Sequence, residues 1–452
     1  MTTEVINLRE IILGVLMEVM EEEAYSHVVL REVLEKYQYL EKRDRAFISR
    51  VSEGTLENLI QIDYILNQFS TVKTEDMKPA IRNILRMAVY QLKYMDNVPD
   101  SAVCNESVKL AQRKGFYNLK GFVNGVLRSI ARNLDKVVYP DRQAMPVPYL
   151  SVTYSMPEWI LKNWVDAYGF DTVETICKAF QEEPPTYLRC NLNKASKAQI
   201  IESLESQRIA VKEVSCLDYA LEISNYNYLK AVDAFKNGWV QVQDISSMLV
   251  AEAADPKWGD YCIDVCAAPG GKALHLADKL KGSGFVEARD LTEAKVALLK
   301  ENIERTGVIN MQANRADATI FYPASAEKAD VLLCDLPCSG LGVIGRKQDI
   351  KYKMTPAKQA EIVKLQRKIL DTVYPYVKVG GTLIYSTCTI GAEENQYNLK
   401  WFLEHYPFRL ESIDPYLSEE LHSKTTQAGY LQLLPGVHHS DGFFLARLTR
   451  IG

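Results

Sequence analysis

A glycine-containing turn and two cysteines are the residues of this chain whose types and spacing point most directly to chemistry. The turn belongs to D-V-C-A-A-P-G-G-K, residues 264–272, and the cysteines are Cys338 in D-L-P-C-S-G and Cys388 in S-T-C-T. Each of the three stretches has the pattern of a strand that ends in a turn. Because an open parallel sheet builds its site at the carboxyl ends of its strands, we expect all three to meet in one crevice.

The turn of residues 264–272 suits a nucleotide-like cofactor. Gly270 and Gly271 let the backbone approach a ligand closely, and the N-terminus of the helix that follows favours an anion. The dinucleotide fingerprint G-x-G-x-x-G is absent from the sequence, which disfavours a nicotinamide or flavin enzyme. Asp290 ends the next predicted strand, where a carboxylate can accept ribose hydroxyls, and Asp317 follows a third, placed to meet an adenine amino group. The acids could be solvated strand ends, but their order matches a bound adenosine.

The two cysteines indicate the reaction. C5 of cytosine is a poor nucleophile, but a thiolate that adds to C6 turns C5 into an enamine carbon able to attack the methyl group of a sulfonium. A base then removes the C5 proton and the thiolate leaves. Cys388, Asp335 and Cys338 together supply a nucleophile, a proton donor for N3 and a base, if burial holds Asp335 protonated. We expect Lys272 to supply the positive charge that activates the nucleophile. The residues alone leave open which cysteine attacks, and two buried structural cysteines are the alternative.

The nine cysteines also invite a metal or disulfide interpretation, which their spacing does not favour. Two C-x-x-x-C pairs, Cys262/Cys266 and Cys334/Cys338, lie along predicted strands, whereas zinc knuckles use C-x-x-C around a turn. The odd number of cysteines argues against a disulfide framework. We therefore expect no metal.

Length and composition indicate a globular protein of several domains, with 452 residues, 47% of them hydrophobic and 25% charged. The net charge of -5 excludes a broadly basic nucleic-acid coat protein but leaves room for local basic patches. No apolar run reaches the roughly 18 residues that cross a bilayer, and the start lacks the basic region of a signal peptide. We expect a cytoplasmic protein with no membrane partner.

The hydrophobic pattern changes along the chain. Ile81, Ile84 and Leu85 begin a helical i, i+3, i+4 series in an N-terminal region that shows no convincing strand. A proline-containing stretch follows, and then a mixed region in which W-V-Q-V-Q alternates as a strand and Ser196 and Gln199 form a capping box. Strands and helices then alternate, as in a parallel, doubly wound sheet. The predicted segments are an all-α domain at 1–135, a linker at 136–157, a small α+β module of ferredoxin-like or RRM-like type at 158–243, and an α/β Rossmann-like domain at 244–452.

At this point the motifs carry a resemblance. C-A-A-P-G-G-K, D-L-P-C-S-G and S-T-C-T together resemble the RsmB/Sun family of ribosomal RNA small-subunit (16S) cytosine-C5 methyltransferases. L-R-M-A-V-Y-Q-L-K-Y (residues 85–94) and F-V-N-G-V-L-R (residues 122–128) are similar to the NusB-like helical domain that is fused to such enzymes. The resemblance covers nearly the whole chain and implies a multidomain methyltransferase with an all-α NusB-like N-terminal domain.

The family also implies roles for individual residues. It implies that Cys388 attacks the base and that Cys338 assists release, a choice that chemistry alone leaves open because DNA cytosine methyltransferases use a Pro-Cys cysteine resembling Cys338. The residues implied to contact S-adenosylmethionine or its immediate surroundings are Cys266, Ala267, Ala268, Pro269, Gly270, Gly271, Lys272, Asp290, Asp317 and Asp335.

The expected partner is RNA, specifically 16S ribosomal RNA, free or in an early particle, bound by a monomer. The target cytosine must be unpaired or flipped, because C5 and C6 are shielded in a stack. A first basic cluster adjoins the proposed site and is predicted to track phosphates: Arg346, Lys347, Lys351, Lys353 and Lys358. A second could equally be a solvated face: Lys109, Arg113, Lys114, Lys120, Arg128 and Arg132. The alternatives are a transfer RNA substrate with the same chemistry, or a non-catalytic RNA-binding assembly factor.

Overall fold

The structure is a computed structural model that describes residues 6–452. Two compact units make up the chain: unit 1 runs to Glu182 and also includes Ile344–Met354, and unit 2 comprises Glu183–Val343 and Thr355–Gly452. None of the helices formed by residues 6–452 is long and apolar enough to cross a membrane.

Unit 1 is helical, as predicted. The face predicted around Ile81, Ile84 and Leu85 is buried in its core, on a helix that begins with Pro79, where a missing N–H leaves no bond unmade. Its longer helices are α1 (Leu8–Glu21), α2 (Ser26–Lys36), α3 (Lys42–Glu57), α4 (Leu59–Phe69), α5 (Pro79–Tyr94), α6 (Asp100–Arg113), α7 (Lys120–Asn133), α8 (Pro146–Tyr154), α9 (Glu158–Tyr168) and α10 (Phe170–Ala179).

The stretch 136–157, predicted as a linker, contains helix α8. Pro146 and Pro148 suggested a loop, but both lie in the first turn of the helix, where the backbone N–H groups lack intrahelical partners in any case. Leu150 and Tyr154 of this helix are buried. Unit 1 then continues through α9 and α10, beyond the predicted boundary at residue 157.

Unit 2 begins with the small α+β module. Its strands are antiparallel in the order β2-β3-β1-β4, and Ser196 and Gln199 form the predicted capping box at the start of α11. Strand β3 was not predicted from the sequence. The elements are β1 (Thr186–Cys190), α11 (Lys197–Ser206), β2 (Ala210–Glu213), β3 (Ala220–Ser224), α12 (Asp233–Lys236) and β4 (Val240–Val242).

The remainder of unit 2 is built on an eight-stranded sheet, and the predicted alternation of strands and helices is confirmed. The elements are α13 (Ile245–Ala254), β5 (Tyr261–Asp264), α14 (Gly271–Lys279), β6 (Phe285–Asp290), α15 (Glu293–Thr306), β7 (Met311–Arg315), β8 (Ala329–Asp335), α16 (Ile350–Lys353, within unit 1), α17 (Pro356–Val373), β9 (Val377–Thr387), α18 (Gln396–His405), β10 (Phe408–Leu410), α19 (Lys424–Ala428), β11 (Tyr430–Leu433) and β12 (Phe443–Arg450).

The strand order, β10-β12-β9-β8-β5-β6-β7, creates the position of the site. Strands β5 to β9 are parallel, and β12 joins antiparallel to β9, β10 and β11. The chain adds β6 and β7 on one side of β5 and β8 and β9 on the other. A crevice therefore opens at the carboxyl end of the sheet between β5 and β8, where open α/β sheets bind ligands.

Candidate active site

The register of β8 and β9 brings the two cysteines together. Asp335 and Ser386 are paired across these parallel strands, near their carboxyl ends. Cys338 and Cys388 follow their strands within a few residues, and their Sγ atoms lie 3.0 Å apart. Both side chains are partly exposed and neither is in a disulfide. The predicted convergence of the two cysteine motifs is thus what the structure has.

The thiols are not equivalent. The hydrogen bond with Cys388, together with burial, raises the pKa of the Cys338 thiol well above its ordinary value. Cys338 therefore holds its proton tightly and can donate a hydrogen bond to Cys388. The Lys272 ammonium is close enough to Cys388 for electrostatic interaction. A neighbouring positive charge of this kind favours a thiolate.

Lys272 and Asp335 form an ion pair at the same edge. Lys272 Nζ donates to Asp335 Oδ2 at 2.8 Å, and Ser386 Oγ donates to Asp335 Oδ1 at 2.8 Å. Burial alone would lower the pKa of Lys272, but Asp335 raises it above its usual value. Because both of these partners donate hydrogen bonds, Asp335 acts here as an acceptor. The sequence-based expectation of a protonated Asp335 differs from this arrangement.

The turn after β5 has the form predicted for a cofactor-binding loop. Gly270 precedes α14 with a positive φ of 109°, a conformation that favours glycine. Asp290 at the end of β6 accepts from the backbone N–H of Ala268 at 3.0 Å and pairs with Lys295 at 2.9 Å. The hydrogen bond from Ala268 therefore ties the loop of residues 266–272 to Asp290, the carboxylate predicted to bind ribose.

Two further acids lie at the same strand ends. Asp317 follows β7, and its carboxylate accepts from the hydroxyl and backbone N–H of Thr319, which lower its pKa. Its neighbour Ala316 donates its backbone N–H to the carbonyl of Asp290, which places the two predicted adenosine contacts side by side. Asp264, at the end of β5, is 1% exposed, and burial together with the charge of Asp335 raises its pKa to about 8. Sequence reasoning quoted Asp264 in the motif without assigning it a role.

Glu394 and Asn395 are the other residues that sequence reasoning missed. Both are fully buried, and their side chains accept or donate hydrogen bonds at the turns that carry Cys338 and Cys388. The sequence signal for them was an acid and an amide shortly after the S-T-C-T motif.

The first basic cluster is only partly available to RNA. Lys351 is 3% exposed and its Nζ donates to the carbonyl of Glu57 at 2.9 Å, so its prediction as a phosphate contact is wrong. Lys353 is half-buried and pairs with Asp349 at 2.6 Å within unit 1. The exposed members are Arg346, Lys347 and Lys358.

The second basic cluster lies on α6, on α7 and between them, and all of its members are exposed: Lys109, Arg113, Lys114, Lys120, Arg128 and Arg132. Lys109 pairs with Glu106 at 2.7 Å and Lys114 with Glu10 at 2.6 Å.

A cavity of about 370 Å³ lies elsewhere in unit 2. It is lined by residues of the small module, α13 and the segment around Leu433 and His438, and by none of the predicted site residues. Within residues 6–452, no group of three or more histidine, cysteine or acidic side chains could hold a metal ion.

Comparison with known proteins agrees with this architecture. Residues 251–449 match the model of the 16S rRNA methyltransferase RsmB/F family, residues 6–132 match the NusB family, and residues 156–228 match the ferredoxin-like domain of RsmF/B-like methyltransferases.

Full-length relatives and a solved structure give the same result. The chain is 37% identical to the probable ribosomal RNA small subunit methyltransferase B of Bacillus subtilis, over 99% of both proteins. It is 31% identical to ribosomal RNA small subunit methyltransferase B of Escherichia coli K12, over 91% of this chain and 92% of that protein. The crystal structure of PH0851 covers 99% of both chains with a TM-score of 0.82 at 24% identity, which shows a shared fold. The predicted three-part architecture is confirmed, and the chain belongs to the RsmB/F family of 16S rRNA methyltransferases.

Proposed function

We propose that this protein transfers a methyl group from S-adenosylmethionine to C5 of a cytosine in 16S ribosomal RNA. The observation that carries the proposal is the 3.0 Å separation of the Cys338 and Cys388 thiols at the ends of neighbouring parallel strands. Few chemistries need two cysteines within reach of one base, and C5 methylation of a pyrimidine uses one as the nucleophile and the other as the group that removes the C5 proton.

In this mechanism Cys388 is the nucleophile. Its thiolate forms a bond to C6 of the cytosine, which makes C5 an enamine carbon. S-adenosylmethionine supplies the electrophilic methyl group when bound. Cys338 first loses its own proton to solvent; its thiolate then takes the C5 proton, directly or through water, and the Cys388–C6 bond breaks with its electron pair returning to Cys388 as the C5–C6 double bond forms again. Asp335, which accepts from Lys272, would bind the polar edge of the base and hold it at the cysteines; its position at the end of the strand that precedes Cys338 supports this role.

The residues at the strand ends fit an S-adenosyl cofactor. The turn of residues 266–272 offers backbone N–H groups and the N-terminus of α14 to a carboxylate. Asp290, which holds Ala268, and Asp317 would accept hydrogen bonds from ribose and adenine. A methyl donor of this type is also what membership of the methyltransferase family implies.

The relatives' names favour 16S ribosomal RNA over transfer RNA as the substrate. The match of residues 6–132 to the NusB family, and the exposed basic residues on α6 and α7, support a second RNA contact in unit 1. We propose that the protein acts as a monomer on unpaired or flipped RNA, free or in an early particle.

The experiment compares Cys388→Ala with Cys338→Ala in the full-length protein. Each variant is incubated with 16S RNA and S-adenosylmethionine, and the products are separated on a denaturing gel. Cys388→Ala cannot form the C6 bond, so it should give neither methylated RNA nor a covalent complex. Cys338→Ala should methylate but stall before elimination, and so should leave an RNase-sensitive protein band of reduced mobility.

Cys216→Ala is the matched control, because Cys216 is also a partly exposed free thiol and lies in the small module. It should behave as the wild type does. A covalent band in Cys388→Ala and none in Cys338→Ala would exchange the two roles, and no band in either variant would refute the covalent route. A wild-type protein that methylates transfer RNA in preference to 16S RNA would refute the proposed substrate.

A further inference from the structure

Glu394 is a fully buried carboxylate at the turn that carries Cys338. Its Oε2 accepts the backbone N–H of Ser339 at 2.8 Å, the residue directly after that cysteine. Gln359 donates to Oε1 at 3.1 Å, and Gln366 donates to Oε2 at 3.3 Å. Gln366 also donates to the carbonyl of Pro337 at 2.9 Å, so the turn is bonded on both sides of Cys338. A buried carboxylate is costly unless it is hydrogen-bonded, and here three donors, one at the Cys338 turn and two on α17, converge on it.

Asn395, the next residue, makes the equivalent contacts at the other turn. Its Oδ1 accepts from Thr387 Oγ1 at 2.5 Å, and its Nδ2 donates to the carbonyl of Thr389 at 3.0 Å. These two threonines flank Cys388. Asn395 is fully buried, and Gln432 accepts from its second N–H at 2.9 Å, which fixes the orientation of the amide.

The two turns are also joined directly. Ser339 Oγ donates to Thr389 Oγ1 at 2.9 Å, and the backbone N–H of Gly342 donates to the carbonyl of Cys388 at 3.0 Å. Two consecutive residues outside both motifs therefore hold the two cysteine turns in one polar network. Since a misplacement of about 1 Å can cost a reaction about 100-fold, this network is suited to set the distance at which both thiols reach one ring.

We propose that Glu394 and Asn395 are positioning residues for the methyl transfer proposed above, on which this assignment rests. Glu394 holds the turn of Cys338 and so serves release of the product. Asn395 holds the turn of Cys388 and so serves formation of the C6 bond. The two neighbours act on opposite halves of the catalytic cycle, and their loss has opposite effects on the amount of covalent complex.

The test measures covalent complex and methylated RNA over time for full-length Glu394→Ala and Asn395→Ala. Glu394→Ala should raise the fraction of protein trapped on RNA and lower turnover by about tenfold, with the KM for RNA unchanged within about twofold. Asn395→Ala should lower the rate at which the complex forms by about tenfold and trap none. When each change is combined with Cys338→Ala, Asn395→Ala should still slow trapping and Glu394→Ala should have no further effect.

Two conservative variants guard against loss of folding. Glu394→Gln keeps an acceptor for Ser339, and the Gln359 amide can rotate to accept from the new N–H₂ group, so turnover should return towards the wild type. Glu394→Asp keeps the charge but withdraws it by one methylene, and should trap a smaller fraction than Glu394→Ala. Glu404→Ala removes an acid that is 58% exposed on the helix that follows, and should match the wild type.

A change in the fraction of protein trapped on RNA that has the same direction and the same size in Glu394→Ala and Asn395→Ala would overturn the division of roles. So would a loss that follows only reduced thermal stability or reduced binding of S-adenosylmethionine. If Cys338→Ala traps RNA and the two variants fail these expectations, only the positioning roles are refuted. If neither Cys338→Ala nor Cys388→Ala traps RNA while the wild type methylates it, the covalent route fails and the positioning roles fail with it.

Discussion

The ion pair between Lys272 and Asp335 leads to a prediction about stability. Lys272 Nζ lies 2.8 Å from Asp335 Oδ2, and the two side chains are 15% and 27% exposed. Asp335→Ala removes the acceptor and leaves the Lys272 ammonium partly buried among groups that include the ring of Phe443, 5.3 Å from Nζ.

The magnitude lies between two limits. Removing one partner of a fully buried pair costs about 3–5 kcal/mol, because the other charge stays behind unpaired. Removing one partner of an exposed pair costs about 0–1 kcal/mol. Since both side chains here are mostly buried but not fully, we expect Asp335→Ala to lower the free energy of unfolding by about 2 kcal/mol near neutral pH. The double variant Lys272→Met/Asp335→Ala leaves no unpaired charge and should recover most of that loss.

The loss should also depend on pH. Asp335 raises the pKa of Lys272 against the lowering effect of burial. In the wild type the pair therefore contributes stability that is present below the unfolded pKa of lysine, about 10.4, and is lost as the pH rises through the folded pKa. In Asp335→Ala both contributions of Asp335 are gone, and burial, the largest influence on Lys272, is opposed only by the charges of Cys388 and Asp264, so we expect the folded pKa of Lys272 to fall below the unfolded one. The destabilisation caused by the unpaired Lys272 ammonium is then full at low pH, and it is relieved as the pH rises above the folded pKa of Lys272 towards the unfolded pKa. Deprotonation of Lys272 in the variant makes the difference between variant and wild type shrink from about pH 7 to about pH 10, and the wild-type effect shrinks it further above about pH 10.4.

Urea unfolding at about pH 7 and about pH 9.5 measures this difference for the wild type, both variants and Glu404→Ala. Glu404 and Lys400 form an exposed pair at 3.9 Å, so the control should change stability by no more than about 0.5 kcal/mol. An Asp335→Ala variant as stable as the wild type near neutral pH would refute the reasoning. So would a deficit that grows with pH, or a double variant that is no more stable than Asp335→Ala.

Two further predictions concern ligands. Asp290→Ala should weaken binding of S-adenosylmethionine by about 1–3 kcal/mol in calorimetry, because it removes charge-assisted hydrogen bonds to ribose. Glu293→Ala, which changes a nearby acid that is 73% exposed, should leave the affinity unchanged. Unchanged affinity in Asp290→Ala would remove Asp290 from the site. Lys347→Ala should reduce the slope of log affinity for RNA against log salt by about 0.7–0.9, the contribution of one phosphate contact. Lys351→Met should leave that slope unchanged, because Lys351 is buried. A reduced slope for Lys351→Met with an unchanged slope for Lys347→Ala would restore Lys351 as an RNA contact.

The strand ends were the most predictable part of the molecule, and the reason is local. Glycine and proline after apolar runs mark where a strand stops, and a parallel sheet brings all such ends to one edge. The sequence therefore predicts that the D-L-P-C-S-G and S-T-C-T motifs lie next to each other, and the thiols of Cys338 and Cys388 are 3.0 Å apart. The predicted helices of the α/β domain are likewise found at α14, α15 and α17.

What the sequence left out depends on burial and on distant partners. Helix α8 was missed because Pro146 and Pro148 were interpreted as loop residues, although prolines are tolerated in the first turn of a helix. Lys351 belongs to a run of basic residues of the kind that binds RNA phosphates. Only the hydrogen bond from its Nζ to the carbonyl of Glu57 shows that this lysine is buried within the protein instead. The sequence shows that a lysine is present at position 351, but it does not show whether the side chain faces solvent or the protein interior.

The protonation of the site was the least predictable feature, because it depends on several charges at once. From sequence, Asp335 was expected to be the buried proton donor. In the structure Asp335 has Lys272 and Ser386 as donors, while Asp264 is the acid with the pKa of about 8, raised by burial and by Asp335 itself. One lysine, Lys272, cannot pair with every acid at this edge of the sheet. Because Lys272 pairs with Asp335, Asp264 is the acid that holds a proton more readily. Of the two carboxylates that end β5 and β8, Asp335 pairs with Lys272, and the buried Asp264 has a raised pKa.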